Sequence, residues 1–242
     1  MTYLEGTILD VVCILLGTAI SFVPFCRRLL ALSGFAQLAL GAGCIVAGLW
    51  WAWFKSGTSF LETAVNFLVV LGSLVIGRIL GRLVGIQRLS NRLGASARRW
   101  FESVPQDTVR RRSVGFKTAI IVFCVSPMAV FGPVAEGACE WKLPMIFKSI
   151  MDGFAALGFG VTYGWVIALA CFALFPWQGT IALLSYELAL SLESTAVIQV
   201  FNVTCGLLLC FSGVVVLGIR RVELANFLPA LVIAPLARLL IG

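Results

Sequence analysis

Residues 149–174 read SIMDGFAALGFGVTYGWVIALACFAL, a run in which Asp152 is the only charged side chain. A bilayer's hydrocarbon core takes about 20 apolar residues in helical form, so this run predicts a membrane-crossing helix. Segments near 7–25, 30–54, 64–83, 117–135, 178–193, 197–218 and 224–241 meet or approach the same length. Across the 242 residues 60% are apolar and 12% charged, and the mean hydropathy is +1.03. The expected fold is all-α: a polytopic transmembrane helical bundle of about eight spans, forming a single integral membrane domain over 1–242. So little polar chain remains that the function must lie within or beside the membrane.

Composition removes several kinds of chemistry. There is no histidine, hence neither the commonest general acid/base nor the commonest transition-metal ligand. The eight cysteines, Cys13, Cys26, Cys44, Cys124, Cys139, Cys171, Cys205 and Cys210, are scattered through apolar segments without a C-x-x-C pair. They read as small buried hydrophobes rather than as a disulfide or metal framework. No cofactor is expected. The start carries Glu5 and Asp10 in place of a positive leader, so the first apolar segment is expected to remain as a span.

Charge orients the bundle. Net charge is +7, and ten of the eighteen basic residues (Arg78, Arg82, Arg88, Arg92, Arg98, Arg99, Arg110, Arg111, Arg112 and Lys117) fall in one stretch. The positive-inside rule makes this loop cytoplasmic, together with the pairs Arg27–Arg28 and Arg220–Arg221. Both termini are then external, with a three-span half (1–85), a cytoplasmic segment (86–116) and a five-span half (117–242). Within the loop, Ile86, Leu89, Leu93, Ala97 and Trp100–Phe101 recur at helical spacing while Arg88, Arg92, Arg98 and Arg99 occupy the other face. That pattern predicts an amphipathic helix in the interface, drawn to anionic lipid headgroups rather than to nucleic acid. Val104–Arg112, with Pro105, reads as a linker.

Polar residues inside the apolar segments supply the candidate site. Lys148 and Asp152 are four apart and share a helix face, and Glu136 ends the preceding span. The expected cluster is Glu136, Lys148, Ser149 and Asp152 at the external ends of spans four and five, with Glu187 and Glu193 as further acidic candidates. A charge at membrane depth usually faces a water-filled cavity or another charge; the alternative is that the pair merely terminates its helix among headgroups. Small residues recur every fourth position at Ser73, Gly77, Gly81 and Gly85, and again at Ala156, Gly160 and Gly164. Such faces let helix backbones approach closely, either within the chain or at a homodimer seam. Gly158-Phe159-Gly160 and Pro127, Pro133, Pro176, Pro229 and Pro235 interrupt apolar runs, as in transporters whose broken helices expose backbone groups to solutes.

The run Phe123-Cys124-Val125-Ser126-Pro127-Met128, then Gly132, Glu136-Gly137 and Lys148-Ser149-Ile150-Met151-Asp152-Gly153, resembles the signature of a bacterial inner-membrane family. This is domain of unknown function 554 (DUF554), the YqgA/YdfK type. Trp177-Gln178-Gly179 and Asn226-Phe227-Leu228-Pro229-Ala230-Leu231 match its later elements, adding Gln178 and Asn226 to the candidates. The resemblance covers essentially the whole chain and implies a location in the bacterial cytoplasmic membrane. It implies no activity.

Spans two and three resemble spans seven and eight in hydropathy and glycine placement, so spans 1–3 and 6–8 are expected to form an inverted repeat, a recurrent plan of secondary transporters. No G-x-x-x-x-G-K-[ST] motif is present, so transport would be secondary or passive. The leading expectation is a transporter or channel for a small solute or ion. A non-catalytic scaffold or sensor docking partners through the arginine-rich loop is the alternative. A lipid-directed enzyme, left with carboxylates, Lys148 and Ser149, is not expected.

Overall fold

The computed structural model describes residues 4–24, 33–191, 194–220 and 222–241, and among them every regular element is helical. Arg27, Arg28, Glu193, Arg221 and Cys26 lie outside the described residues. The helices are α1 (Glu5–Ile20), α2 (Ser33–Phe54), α3 (Phe60–Val84), α4 (Ile86–Glu102), α5 (Thr108–Val125), α6 (Met128–Cys139), α7 (Leu143–Tyr163), α8 (Cys171–Ser191), α9 (Thr195–Val216) and α10 (Ala230–Ile241). Short 3-10 turns, Gly164–Ala170 and Leu224–Phe227, precede α8 and α10.

Local chemistry sets the breaks. Ser59 caps α3 by accepting from the Glu62 amide at 3.2 Å, while the Glu62 carboxylate takes the Thr58 amide and hydroxyl, a reciprocal arrangement that satisfies donors left over at a helix start. At the other end Gly85 adopts φ +78°, which turns the chain directly into α4. Asp107 caps α5, so Thr108–Arg112 is helical and the expected linker shrinks to the few residues before it. Ser126, ahead of Pro127, is extended (φ −62°, ψ 143°); the proline ring disfavours helix at the preceding residue. This bends α5 against α6 by 47°.

Two apolar cores result. One joins α2, α3, α6, α9 and α10 around Cys44, Val70, Phe131, Trp141, Cys205 and Leu231. The other joins α1, α5, α7, the Gly164–Ala170 turn and α8 around Ile14, Phe123, Ala156, Ile167 and Leu174. Helix α9 is central, with 72% of its span buried, whereas α2 and α3 bury only 22% and 28%. Their outward residues are Leu38, Val46, Trp50, Leu68, Val75, Ile79 and Leu83, the composition a lipid-facing surface requires.

Small residues make the crossings. A Cβ on Gly17 of α1 would overlap the Gly153 carbonyl oxygen of α7, and Gly48 of α2 and Gly206 of α9 lie on each other's carbonyls. On the Ser73–Gly85 face, Gly77 packs on Ala230 and Gly81 on Asn226. In the second stripe, Gly160 packs on Ser21 and Thr18, and Ala156 is fully buried. Both small-residue faces are therefore used within the chain.

Among the described residues five runs are long and apolar enough to cross a membrane, or six if the bent α5–α6 pair is one span. By that measure the expected eight spans are not reached, for two reasons. Helix α1 has only 16 residues. Residues Leu143–Leu190 also count as one run, although the chain reverses inside it. Gly160 packs beside Ser21, Cys171 lies 3.9 Å from the Val11 carbonyl, and Gln178 meets Asp10. The chain thus descends along α1 and then climbs back. Gly164, with φ +76° and ψ −157°, makes the reversal in a conformation that side chains disfavour. The segment read as one span, 149–174, straddles this turn. Of the segment read as short or re-entrant, 178–193, residues 178–191 are the second part of the continuous helix α8, the last two lying outside the described residues.

Helix α4 fulfils the amphipathic reading over Ile86–Glu102. Its arginines and Leu89 are exposed and only Ala97 is buried. Leu93 and Trp100 are half-buried. The helix is anchored where the Tyr163 hydroxyl donates to the Trp100 carbonyl at 2.8 Å and Phe101 meets Phe159 edge-on at 5.5 Å. Arg111, at the start of α5, donates to the Thr162 carbonyl.

Candidate functional site

The site is built on α1. Asp10 is wholly buried, about 7–8 Å along the helix from Glu5 at 1.5 Å per residue. Helix α7 runs parallel to α1, since Gly6 faces Met145, Gly17 faces Gly153 and Gly160 faces Ser21. That alignment brings Lys148, 2% exposed, to Asp10, with Nζ 2.6 Å from Oδ2. Lys148 also bonds Asp152 one turn along its own helix. From α8 the buried Gln178 Nε2 donates to the same Asp10 oxygen at 2.9 Å. Three helices thus meet at one carboxylate.

The electrostatics are asymmetric. Two carboxylates face one ammonium in a site walled by apolar helices. Asp10 Oδ2 takes both donors, so Oδ1 is unpartnered, and so is Gln178 Oε1. The Gln178 amide is fixed by its donated bond and its oxygen cannot turn to relieve this. Thr7, one turn earlier on α1, has an unpartnered buried hydroxyl. Unpaired buried polar atoms are costly, and a concentration of them calls for an explanation.

The sequence candidates divide. Lys148 and Asp152 pair as expected, and Gln178 joins them. Glu136 is buried but plays another part: its Oε1 accepts the Gly6 amide at 2.5 Å, and its Oε2 is unpartnered. Leu4 offers no side-chain cap to α1, so Glu136 reaches across from α6 to place a carboxylate on the positive end of that helix. A Cβ at Gly6 would lie 2.6 Å from Glu136 Oε2, which is why glycine stands there. Ser149 donates to the Met145 carbonyl of its own helix at 2.7 Å. Asn226 serves a joint elsewhere, accepting the Gln87 amide at 3.1 Å while Gln87 accepts the Ala225 amide. Glu187 has partners in the fold.

Asp10 is the residue the sequence reading passed over. It is the acid inside an otherwise apolar stretch, Ile8-Leu9-Asp10-Val11-Val12, where its nearness to Glu5 makes it look like part of a charged terminus. The cluster is therefore joined to α1 and α8 as well as to α7. At the end marked by the Lys142–Glu5 ion pair (2.5 Å) the Gly6 and Glu136 contacts close α1. At the opposite end a cleft of about 300 Å³ is lined by Ser21, Arg111, Arg112, Gly160 and Trp165. A second cleft of about 320 Å³, between α2, α6, α8 and α9, is lined by Lys55, Glu140, Tyr186 and Asn202. Among the described residues no group of three or more His, Cys, Asp or Glu is placed to hold a metal ion.

Helices of this length and apolarity, closing around an ion-paired centre, define an integral membrane protein with a buried charged site. The chain belongs to the DUF554 family, described as protein of unknown function, which it matches over residues 5–239. It is 27% identical to an uncharacterized membrane protein, YdfK, of Bacillus subtilis (strain 168), over 237 residues covering 95% of this chain and 93% of the relative. It is 30% identical to the uncharacterized protein YqgA of Escherichia coli (strain K12) over 169 residues, 68% of this chain and 72% of that one. No solved structure matches. The family resemblance read from the motifs therefore holds.

Proposed function

We propose that this protein is a secondary transporter or channel for a small solute or ion in the bacterial cytoplasmic membrane. Its path would make eight crossings, with Asp10, Lys148, Asp152 and Gln178 as the site. The observation that carries this reading is the buried cluster itself. A membrane protein that needed only stability would fill the α1–α7–α8 junction with apolar side chains, since a buried ion pair is often no better than a well-packed hydrophobic substitute. Charges at membrane depth mark solute and proton pathways far more often than scaffolding.

Helix pairing supports the same reading. Each helix of α1–α3 lies against one of α8–α10: Asp10 and Val11 meet Gln178 and Cys171, Gly41 and Gly48 meet Gly213 and Gly206, and Gly77 and Gly81 meet Ala230 and Asn226. The α2–α9 and α3–α10 pairs run antiparallel, as an inverted repeat requires. A second reading, a scaffold or sensor, is favoured by one observation: α4 leaves Arg88, Arg92, Arg98 and Arg99 exposed, suited to anionic headgroups or an acidic partner.

The test is flux of a panel of solutes and ions into liposomes holding the purified protein. Transport by the wild type that falls at least tenfold in Asp152→Asn, with yield and melting temperature nearly unchanged, supports the reading. Flux undiminished in that variant removes the cluster from the path.

A further inference from the structure

We propose that the occluded site binds a monovalent metal cation, held by Asp10 Oδ1 with Gln178 Oε1 and Thr7 Oγ1. The inference deepens the transport reading and rests on the same cluster, but it concerns what the site takes rather than whether anything crosses.

Three observations converge. The first is charge. With both carboxylates ionised, Asp10 and Asp152 against Lys148 leave one negative charge, and the side chains concerned are 0%, 9% and 2% exposed. One monovalent cation brings that centre to neutrality, whereas a divalent ion would leave it positive and an anion would double the excess. The second is the identity of the unpartnered atoms. Asp10 Oδ1, Gln178 Oε1 and Thr7 Oγ1 are buried oxygens without a hydrogen-bond partner, and a carboxylate, an amide carbonyl and a hydroxyl are all donors of lone pairs to a hard cation.

The third is placement. Thr7 and Asp10 are three residues apart on α1 and share a face, and the Gln178 amide is tethered to Asp10 through Nε2. Lys148 and Gln178 both occupy Oδ2, which leaves Oδ1 as the carboxylate's free oxygen. The donor set also argues against a transition metal or calcium: it has one carboxylate, no imidazole and no thiolate, too few charged ligands for those ions.

The experiment is thermal unfolding of the purified full chain in detergent, titrated with LiCl, NaCl and KCl against choline chloride at constant ionic strength. At least one alkali cation should raise the melting temperature saturably over choline, because a ligand that binds only the folded state stabilises it by mass action. Asp10→Asn should abolish that rise. Thr7→Val is the second variant: its hydroxyl bonds to nothing in the fold, so the protein should assemble normally yet need at least several-fold more cation for half the effect. No saturable rise with any alkali cation in the wild type overturns the inference, as does a rise retained in both variants. The outcome separates from that of the transport reading. A cation-dependent rise without flux of any solute would leave the site and remove the transporter; flux indifferent to Thr7→Val and to alkali cation would do the reverse.

Discussion

At the scale of single residues, the fold hangs most on Lys148. It faces two carboxylates and is almost wholly enclosed, so Lys148→Met leaves two like charges together without a counter-ion. Breaking a buried pair by removing one partner costs about 3–5 kcal/mol, and the melting temperature of the purified variant should fall accordingly. Adding Asp10→Asn and Asp152→Asn to Lys148→Met should recover most of the loss, since the remaining groups are neutral. A single variant as stable as the wild type would mean the cluster is hydrated and screened. Lys148 and Asp152 were legible in the sequence by their spacing and Gln178 by the family's motif, but Asp10 was not. Lys148 and Asp152 are neighbours on one helix, and their spacing reveals them. Asp10 and Gln178 reach them across helix contacts that local spacing does not encode, and Glu136 was grouped with them by chain proximity although its partner is the start of α1.

Among the elements, α1 and α7 depend on close approach at Gly17 and Gly153. Gly17→Ala places a methyl group onto a backbone carbonyl, and overpacking of this kind costs about 1–3 kcal/mol, read as a lower melting temperature and yield. Gly72→Ala is the control: nothing lies within 4 Å of that position, and alanine is the better helix former by about 1 kcal/mol, so stability should hold or rise. Equal effects at the two glycines would contradict the packing described. Helix positions were legible because an apolar run of bilayer length has few alternatives. What hydropathy missed were changes of direction inside apolar sequence. Gly164 reverses the chain between α7 and α8 without any polar interruption, so two helices read as 149–174 and 178–193 with misplaced limits. Pro127 marks a break in the sequence, but only the extended Ser126 shows that it bends one long segment into α5 and α6.

On the scale of the whole molecule, the two cores meet around α6, and α1, α7 and α8 carry the charged centre between a cleft near Trp165 and the Glu136-capped end. The arginine-rich α4 packs beside that first cleft through Trp100 and Phe101. Reporter fusions within Val104–Asp107 should report the cytoplasm, because the basic residues on either side resist translocation; an external signal there would invert the proposed orientation. Vesicle binding of an isolated Ile86–Glu102 peptide should require anionic lipid and weaken as salt rises.

The central claim, that the buried cluster serves passage rather than assembly, is tested most directly by solute and ion flux through liposomes holding the neutral triple variant Asp10→Asn/Lys148→Met/Asp152→Asn. Removing all three charges together avoids the like charges that Lys148→Met alone would strand, so the protein should insert and melt nearly as the wild type does. The account predicts that this folded variant has lost the flux the wild type shows. Wild-type flux through the triple variant would contradict it.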